Sequence, residues 1–269
     1  MSSDFASAST NSVPLEAYNF YRALTRTALN PQAERSETEP NFGGSLLYVG
    51  ELDAHGSAMV IAGNVSGCAT LAATADLAAQ KQAIRDGTVD FVVTSLDEAL
   101  RILKNEIRKR ATVAVCVGLA PSAVEREMLE RGVLPDLVFA GLPNEHRVLP
   151  KFGFDAHEIQ LPEQDSNQAC LEWRVAQGAG RWMANLDAIA LECLRLDSYV
   201  HRWIRLAPRY CGRGAQGQRA LCCEPELAAR IVEGFEAAIR GRVIGTEVSG
   251  SLSIGGETKM FWLSPAGAA

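Results

Sequence analysis

Between Val89 and Phe139 the chain switches hydrophobic period four times, and this alternation constrains its fold more than any other feature. Val89–Val93 is apolar apart from Asp90 and rich in β-branched residues, the pattern of a buried strand. Ser95-Leu96-Asp97-Glu98 then has the Ser-x-x-Glu form of a capping box, in which the first hydroxyl satisfies a free N–H of the opening turn. Leu96, Ala99, Leu100, Leu103 and Ile107 recur at helical spacing, and Arg108–Arg110 gather where the helix dipole favours cations. Thr112–Val117 returns to a strand. Pro121-Ser122-Ala123-Val124-Glu125 opens a second capped helix, which Gly132 closes as a left-handed C′ residue, and Asp136–Phe139 is a third strand. Strand, helix, strand, helix, strand in about 50 residues dictates an α/β fold built on a parallel sheet with right-handed crossovers.

On the N-terminal side, Leu15–Ala28 predicts a short helix after a Ser- and Ala-rich tail, and Asn30–Asn41 reads as a loop. Ser45–Gly50 and Ala58–Ala62 read as strands around a turn at Glu51–Gly56, and Leu77–Arg85 as a helix stopped by Asp86-Gly87. Beyond Pro150 the pattern changes. A long helical stretch opens at Asp165-Ser166. In it Val175, Ala179, Trp182, Leu186, Ile189, Cys193, Leu196, Val200 and Trp203 alternate spacings of four and three, as in a helix or helix pair packed on the core or a helical dimer interface. Pro225–Arg240 predicts an amphipathic helix, and Arg242–Val248, Ser251–Ile254 and Lys259–Leu263 short strands. The divisions are 1–41 (tail and lead-in helix), 42–150 (α/β domain) and 151–269 (helical and mixed segment).

Charge narrows the function classes. With 26 Lys and Arg against 32 Asp and Glu, the net charge of −6 offers no general attraction to a phosphate backbone, which argues against nucleic acid. No apolar run of about 18 residues exists, so no membrane span is expected. The N-terminus lacks the basic and apolar regions of a signal peptide. Seven scattered cysteines, an odd number, predict reduced thiols in a cytoplasmic protein.

Gly212-Arg213-Gly214-Ala215-Gln216-Gly217 has the Gly-x-Gly-x-x-Gly spacing of dinucleotide loops. Its context is poor: Arg205–Cys211 holds Pro208 and is no convincing strand, and no acid-ended strand follows about 20 residues on. An anion-binding turn flanked by Arg209, Arg213 and Arg219, or a solvated basic loop, fits the same residues. Cys211, between Arg209 and Arg213, is the best-placed reactive cysteine because neighbouring cations favour thiolate, against the alternative of a structural thiol. Neither the adjacent Cys222-Cys223 nor the four histidines form a metal-ligand pattern.

Several segments, in order, resemble urocanase, the NAD-containing hydratase of histidine degradation. Phe42-Gly43-Gly44-Ser45-Leu46, Ser95-Leu96-Asp97-Glu98-Ala99-Leu100 and Arg131-Gly132-Val133-Leu134-Pro135-Asp136 are similar to its Rossmann-like domain. His201-Arg202-Trp203-Ile204, Pro208-Arg209-Tyr210-Cys211 with Gly214 and Arg219, and Val243-Ile244-Gly245 with Ser249-Gly250-Ser251 resemble later motifs. The resemblance implies a shortened relative with a Rossmann-like parallel sheet, NAD as the family cofactor, a homodimer, and Cys211 near the cofactor. Ligands of such sheets bind at the carboxyl ends of strands, here expected near Gly63-Asn64, Thr94-Ser95, Gly118 and Gly141. The family's glycine-rich pyrophosphate loop is replaced by Val49–Met59, where Glu51 and Asp53 repel an anion. Thr74 stands where an acid holds the ribose, and Thr246-Glu247-Val248 replaces a run carrying a histidine and two aspartates. The expectation is a protein that binds a small carboxylate-bearing metabolite through Gly63, Asn64, Ser95, Arg209, Gly212, Arg213, Gly214 and Arg219, with no tightly retained NAD. The alternatives are an active urocanate hydratase-like lyase with Cys211 at its centre, and a non-catalytic sensor or interaction protein.

Overall fold

The computed structural model describes residues 12–28, 42–140, 156–161, 167–196, 198–212 and 217–265. Its first sheet is parallel and six-stranded, in the order β3-β4-β2-β1-β5-β6, from β1 (Leu46–Glu51), β2 (Ala69–Ala73), β3 (Phe91–Val93), β4 (Val113–Val117), β5 (Leu137–Ala140) and β6 (His157–Gln160). The alternating region behaves as its periods predict. Helix α4 (Leu96–Lys109) is capped by the Ser95 hydroxyl, α5 (Pro121–Glu130) follows β4, and Gly132 adopts φ +64°. Ser122 and Glu125 form no capping box, however. The N-cap of α5 is Ala120, and Glu125 is buried beneath the helix, where its carboxylate accepts from the Tyr48 hydroxyl at 3.3 Å. Residues 89–93 also differ from a buried strand: β3 is a three-residue edge strand with Phe91 47% exposed.

The main correction lies at Ala58–Ala62, which is helix and not strand. Helix α2 (Ala54–Ser66) starts at an N-cap, Asp53, and ends at Gly67, with φ +89°. Every residue from Ala58 to Ser66 is buried. A helix apolar on all sides shows no 3.6-residue stripe, so its short runs imitate a buried strand. Strand β2 follows at Ala69–Ala73, where alanines gave no strand signal. Helix α3 (Leu77–Asp86) matches its prediction to within a residue.

Helix α1 (Val13–Ala28) is part of the core rather than a lead-in. Tyr18, Tyr21 and Leu24 are fully buried, and the helix packs along α2. The stretch predicted as one long helix from Asp165 is a strand followed by two helices; its first two residues, 165 and 166, lie outside the described residues. These elements are β7 (Ala169–Val175), α6 (Ala179–Cys193) and α7 (Tyr199–Tyr210). In β7 alternate residues Ala169, Leu171, Trp173 and Val175 are buried, the two-residue period of a strand with one core face. The stripe from Val175 to Trp203 therefore spans three elements, and Leu186, Val200 and Trp203 are consumed inside the chain. Strands β7, β8 (Gln218–Cys223), β9 (Val248–Ile254) and β10 (Glu257–Leu263) form a second, antiparallel sheet in the order β10-β9-β7-β8, packed against α8 (Pro225–Arg240). Residues 242–247, expected in a strand, are turn and coil, with Arg242 at φ +59°.

The two sheets meet through α1 and α7. Trp203 lies 5.4 Å from the Tyr18 ring and 5.2 Å from the Tyr21 ring, and its indole N–H donates to the Ala220 carbonyl of β8 at 2.8 Å. The Tyr18 hydroxyl donates to the Cys222 carbonyl at 2.7 Å. Because the β7–β8 register sets Cys170 opposite Cys222, these two residues are joined as a disulfide, so the expectation of thiols throughout fails at this pair.

Two glycines let α2 lie close on the sheet. A Cβ at Gly56 would stand 1.9 Å from the Glu51 carbonyl oxygen, and one at Gly63 would stand 2.7 Å from both Leu47 Cδ2 and Thr70 Oγ1. Gly56→Ala is expected to destabilise the protein by about 3 kcal/mol or more in urea unfolding, since backbone must move. Gly180→Ala, whose Cβ meets nothing within 4 Å, is the matched control. Its stability is expected to change by less than about 1 kcal/mol.

Candidate functional site

Chain order turns back at β1: β2 pairs on one side and β5 on the other, so the β1–α2 junction is the topological switch point where such sheets take ligands. In a dinucleotide site the exposed N–H groups of the helix start receive a pyrophosphate. Here the chain supplies its own anion. The Asp53 carboxylate accepts from the Gly56 N–H at 2.9 Å, and Glu51 ends β1 two residues earlier. At the end of β2 the buried Thr74 uses its hydroxyl to accept from Asp76 N–H at 3.2 Å, while Gln80 donates to the Thr74 carbonyl at 2.9 Å. The junction keeps the glycine needed for helix–strand packing and lacks the open backbone and ribose acid of a cofactor site. These residues do not fit NAD.

The residues predicted from sequence are not brought together. Gly63 and Asn64 lie in the last turn of α2, at the amino end of β2, because the run before them is helical. There the Asn64 amide donates to the Thr88 carbonyl at 3.3 Å. The Ser95 hydroxyl is spent on the Glu98 N–H at 3.3 Å, and Gly118 donates to the Val93 carbonyl at 2.8 Å. Arg209 is exposed in the last turn of α7, over the Tyr210 ring. Arg219 is buried in β8 and its guanidinium is committed. Its Nε donates to Asp187 Oδ1 at 3.1 Å, its Nη2 to Oδ2 at 3.0 Å, and its Nη1 to the Gln218 carbonyl at 2.8 Å. A carboxylate ligand at Arg219 would have to displace Asp187. Arg213, Gly214 and Gly141 lie outside the described residues. Gly212, at φ +71°, packs its Cα against the Asp86 carbonyl, and the loop it opens joins a helix to an antiparallel strand. The strand-to-helix context of a dinucleotide fingerprint is absent there.

Cys211 follows α7. It is 7% exposed, and burial pushes its thiol up to about 12, an effect that nearby Arg219 only partly offsets and Asp187 reinforces. It is a neutral thiol at pH 7 rather than a thiolate nucleophile.

Residues 25–148 match the family model of the urocanase Rossmann-like domain. The chain carries a urocanase-type Rossmann-like domain. The match runs from the end of α1 past β5, so the parallel sheet up to β5 is urocanase-type, while β6 and the antiparallel sheet lie beyond it.

Within and beside this urocanase-type domain is a cleft of about 490 Å³ between α2 and α3. Leu52, Ala54, Ile61, Ala79 and Ala83 give it apolar walls; Asp53, Ser57, Asp86 and Thr88 supply polar groups, and Cys211 and Gln218 close it from the α7–β8 side. The sequence marks Asp86 only as part of a helix stop and carries no signal at Thr88. Among the described residues no helix is long and apolar enough to cross a membrane, and no group of His, Cys, Asp and Glu is arranged to hold a metal.

Cys211 and the Arg219–Asp187 pair yield two tests. The raised thiol of Cys211, like those of Cys68 and Cys223, also near 12, makes the folded state hold protons that the unfolded chain releases near its ordinary value of about 9. This stabilisation is complete below pH 9 and is lost between about pH 9 and 12. Urea midpoints are therefore expected to fall across that window, and iodoacetamide at pH 8 to label the half-buried Cys193 before Cys211. Arg219→Met strands a buried carboxylate and is expected to cost about 3–5 kcal/mol, most of it recovered in Asp187→Leu/Arg219→Met.

Proposed function

We propose that this chain uses the urocanase-type fold to bind a small molecule and does not carry out NAD-dependent hydration. The observation that supports this most is the Asp53 cap. Bound pyrophosphate would need to displace a carboxylate already hydrogen-bonded to the α2 amino end, and would then face Glu51 and Asp53. Hydration of a conjugated acid needs an electron sink and a positioned acid or base. The cofactor that supplies the sink has no fitting cradle here, and Cys211, at the family's cysteine position, holds a proton tightly.

The carboxylate-binding form of the reading is weakened by the arginines themselves. Arg219 is engaged by Asp187 and Arg209 faces solvent. The cleft between α2 and α3 is the better candidate for a ligand, since it combines apolar walls with a few convergent polar groups.

Purified protein is expected to release no stoichiometric NAD by mass spectrometry. With added NAD it is expected to leave the urocanate absorbance band unchanged. Enzyme-dependent loss of that band, abolished in Cys211→Ala, would overturn the reading, and so would co-purifying NAD.

A further inference from the structure

We propose that the Cys170–Cys222 disulfide is a reversible clasp on strand β8, opened by a small dithiol that enters at Cys170 and closed again by a small disulfide. The two residues stand opposite each other in the β7–β8 ladder. The other five cysteines, all among the described residues, are free thiols. One bonded pair in a chain otherwise rich in thiols singles out this position.

Strand β8 ends the sheet order β10-β9-β7-β8, so β7 is its only strand neighbour among the described residues. The ladder from Ala169–Cys223 to Arg174–Gln218 already sets the register, and Tyr18 and Trp203 donate to the β8 carbonyls of Cys222 and Ala220. These contacts do not involve the sulfurs. They hold the two Cα atoms 4.1 Å apart, within reach of a disulfide, so that after reduction the bond re-forms as an intramolecular step. What the bond adds is restraint. It joins residues 52 positions apart, across α6 and α7, and so limits the freedom of the unfolded chain. It also pins a strand that one ladder alone secures, and such edges are the first to open locally.

The clasp has one accessible side. Cys170 shares a face of β7 with Glu172 and Arg174, away from Trp173 and the α8 residue Phe235, and it is half-buried. Cys222 is fully buried where α1 lies against β8. An incoming thiolate therefore attacks the Cys170 sulfur. The S–S bond breaks, its electron pair goes to the Cys222 sulfur, and that sulfur takes a proton. The second thiol of the reductant then attacks the mixed disulfide, releases Cys170 as a thiol and closes the reductant's own disulfide. The protein gains two electrons and two protons, and the dithiol loses them. Closure exchanges the same groups in reverse, with a small disulfide as the oxidant.

The test begins with the full chain purified without reductant, its free thiols alkylated in urea and counted by mass spectrometry. Five alkylated thiols are expected, and seven after treatment of the native protein with dithiothreitol. The desalted reduced protein is expected to keep its circular dichroism and to melt about 5–10 °C lower. Its Cys223, buried at the end of β8, is expected to react with iodoacetamide at least about tenfold faster, because β8 opens more often. Glutathione disulfide is expected to restore five thiols without retained glutathione, and with them the original melting temperature. Cys170→Ser is expected to melt with the reduced protein and to be unmoved by dithiothreitol; the wild-type measurements decide the question without it. Five results would each overturn the proposal: a bond that opens only in urea, a reduced protein that loses its dichroism, no return of the bond with glutathione disulfide, equal Cys223 labelling in both forms, or a Cys170→Ser melting temperature that still falls with dithiothreitol.

Discussion

A helix that is apolar all round must be enclosed all round, and α2 imposes that demand on everything near it. One side rests on β1 and β2, at a distance set by Gly56 and Gly63, because a single methyl at either would strike backbone or a packed side chain. The opposite side is closed by α1 and α7. At about 25 cal/mol per Å² of apolar surface, leaving either lid off would expose buried side chains of α2 to water at a cost that counts heavily against a domain's small net stability. The association of the urocanase-type sheet with the antiparallel sheet follows from this need. Each lid reaches β8 by a hydrogen bond, from Tyr18 to the Cys222 carbonyl and from Trp203 to the Ala220 carbonyl.

The same helix separates what the fold needs from what a phosphate site would need. Packing of α2 on the sheet needs glycine where the helix crosses the end of β1, and that glycine is present. Phosphate binding asks for further glycines and a vacant helix start; this chain has Glu51, Asp53 and His55 there, with Asp53 capping α2. The imidazole of His55 is paired with Glu16 of α1. The amino end of α2 is thus committed to holding the protein together, through a cap on one side and an interhelical His–Glu contact on the other.

How far the sequence could be read depends on whether each element carries its own boundary signals. Helices α4 and α8 and strand β4 were legible almost to the residue: α4 has a capping serine, α8 a proline at its start, and β4 an uninterrupted apolar run. Helix α2 and strand β2 were not, because alanine-rich apolar runs carry neither period. Strand β7 carried a two-residue alternation, but the four-three spacing beginning at Val175 obscured it. For the site, the acids opposing a phosphate were visible directly in Glu51 and Asp53. The Asp187–Arg219 pair was not, since 32 residues and a change of fold layer separate the partners. The cleft could not be foreseen either, as its lining comes from loops and helices that only the tertiary fold gathers.

The bond from Tyr18 to the Cys222 carbonyl spans 204 positions. On a ribosome, α1 emerges early, but β8 leaves the exit tunnel only when most of the chain has been made. Until then the apolar faces of α1 and α2 have each other but lack their outer wall, and loop closure over such a distance is slow. The nascent parallel sheet would therefore wait as a partly open intermediate, and its dependence on chaperones should be greatest during translation of residues 150–220 and decline once β8 is in place.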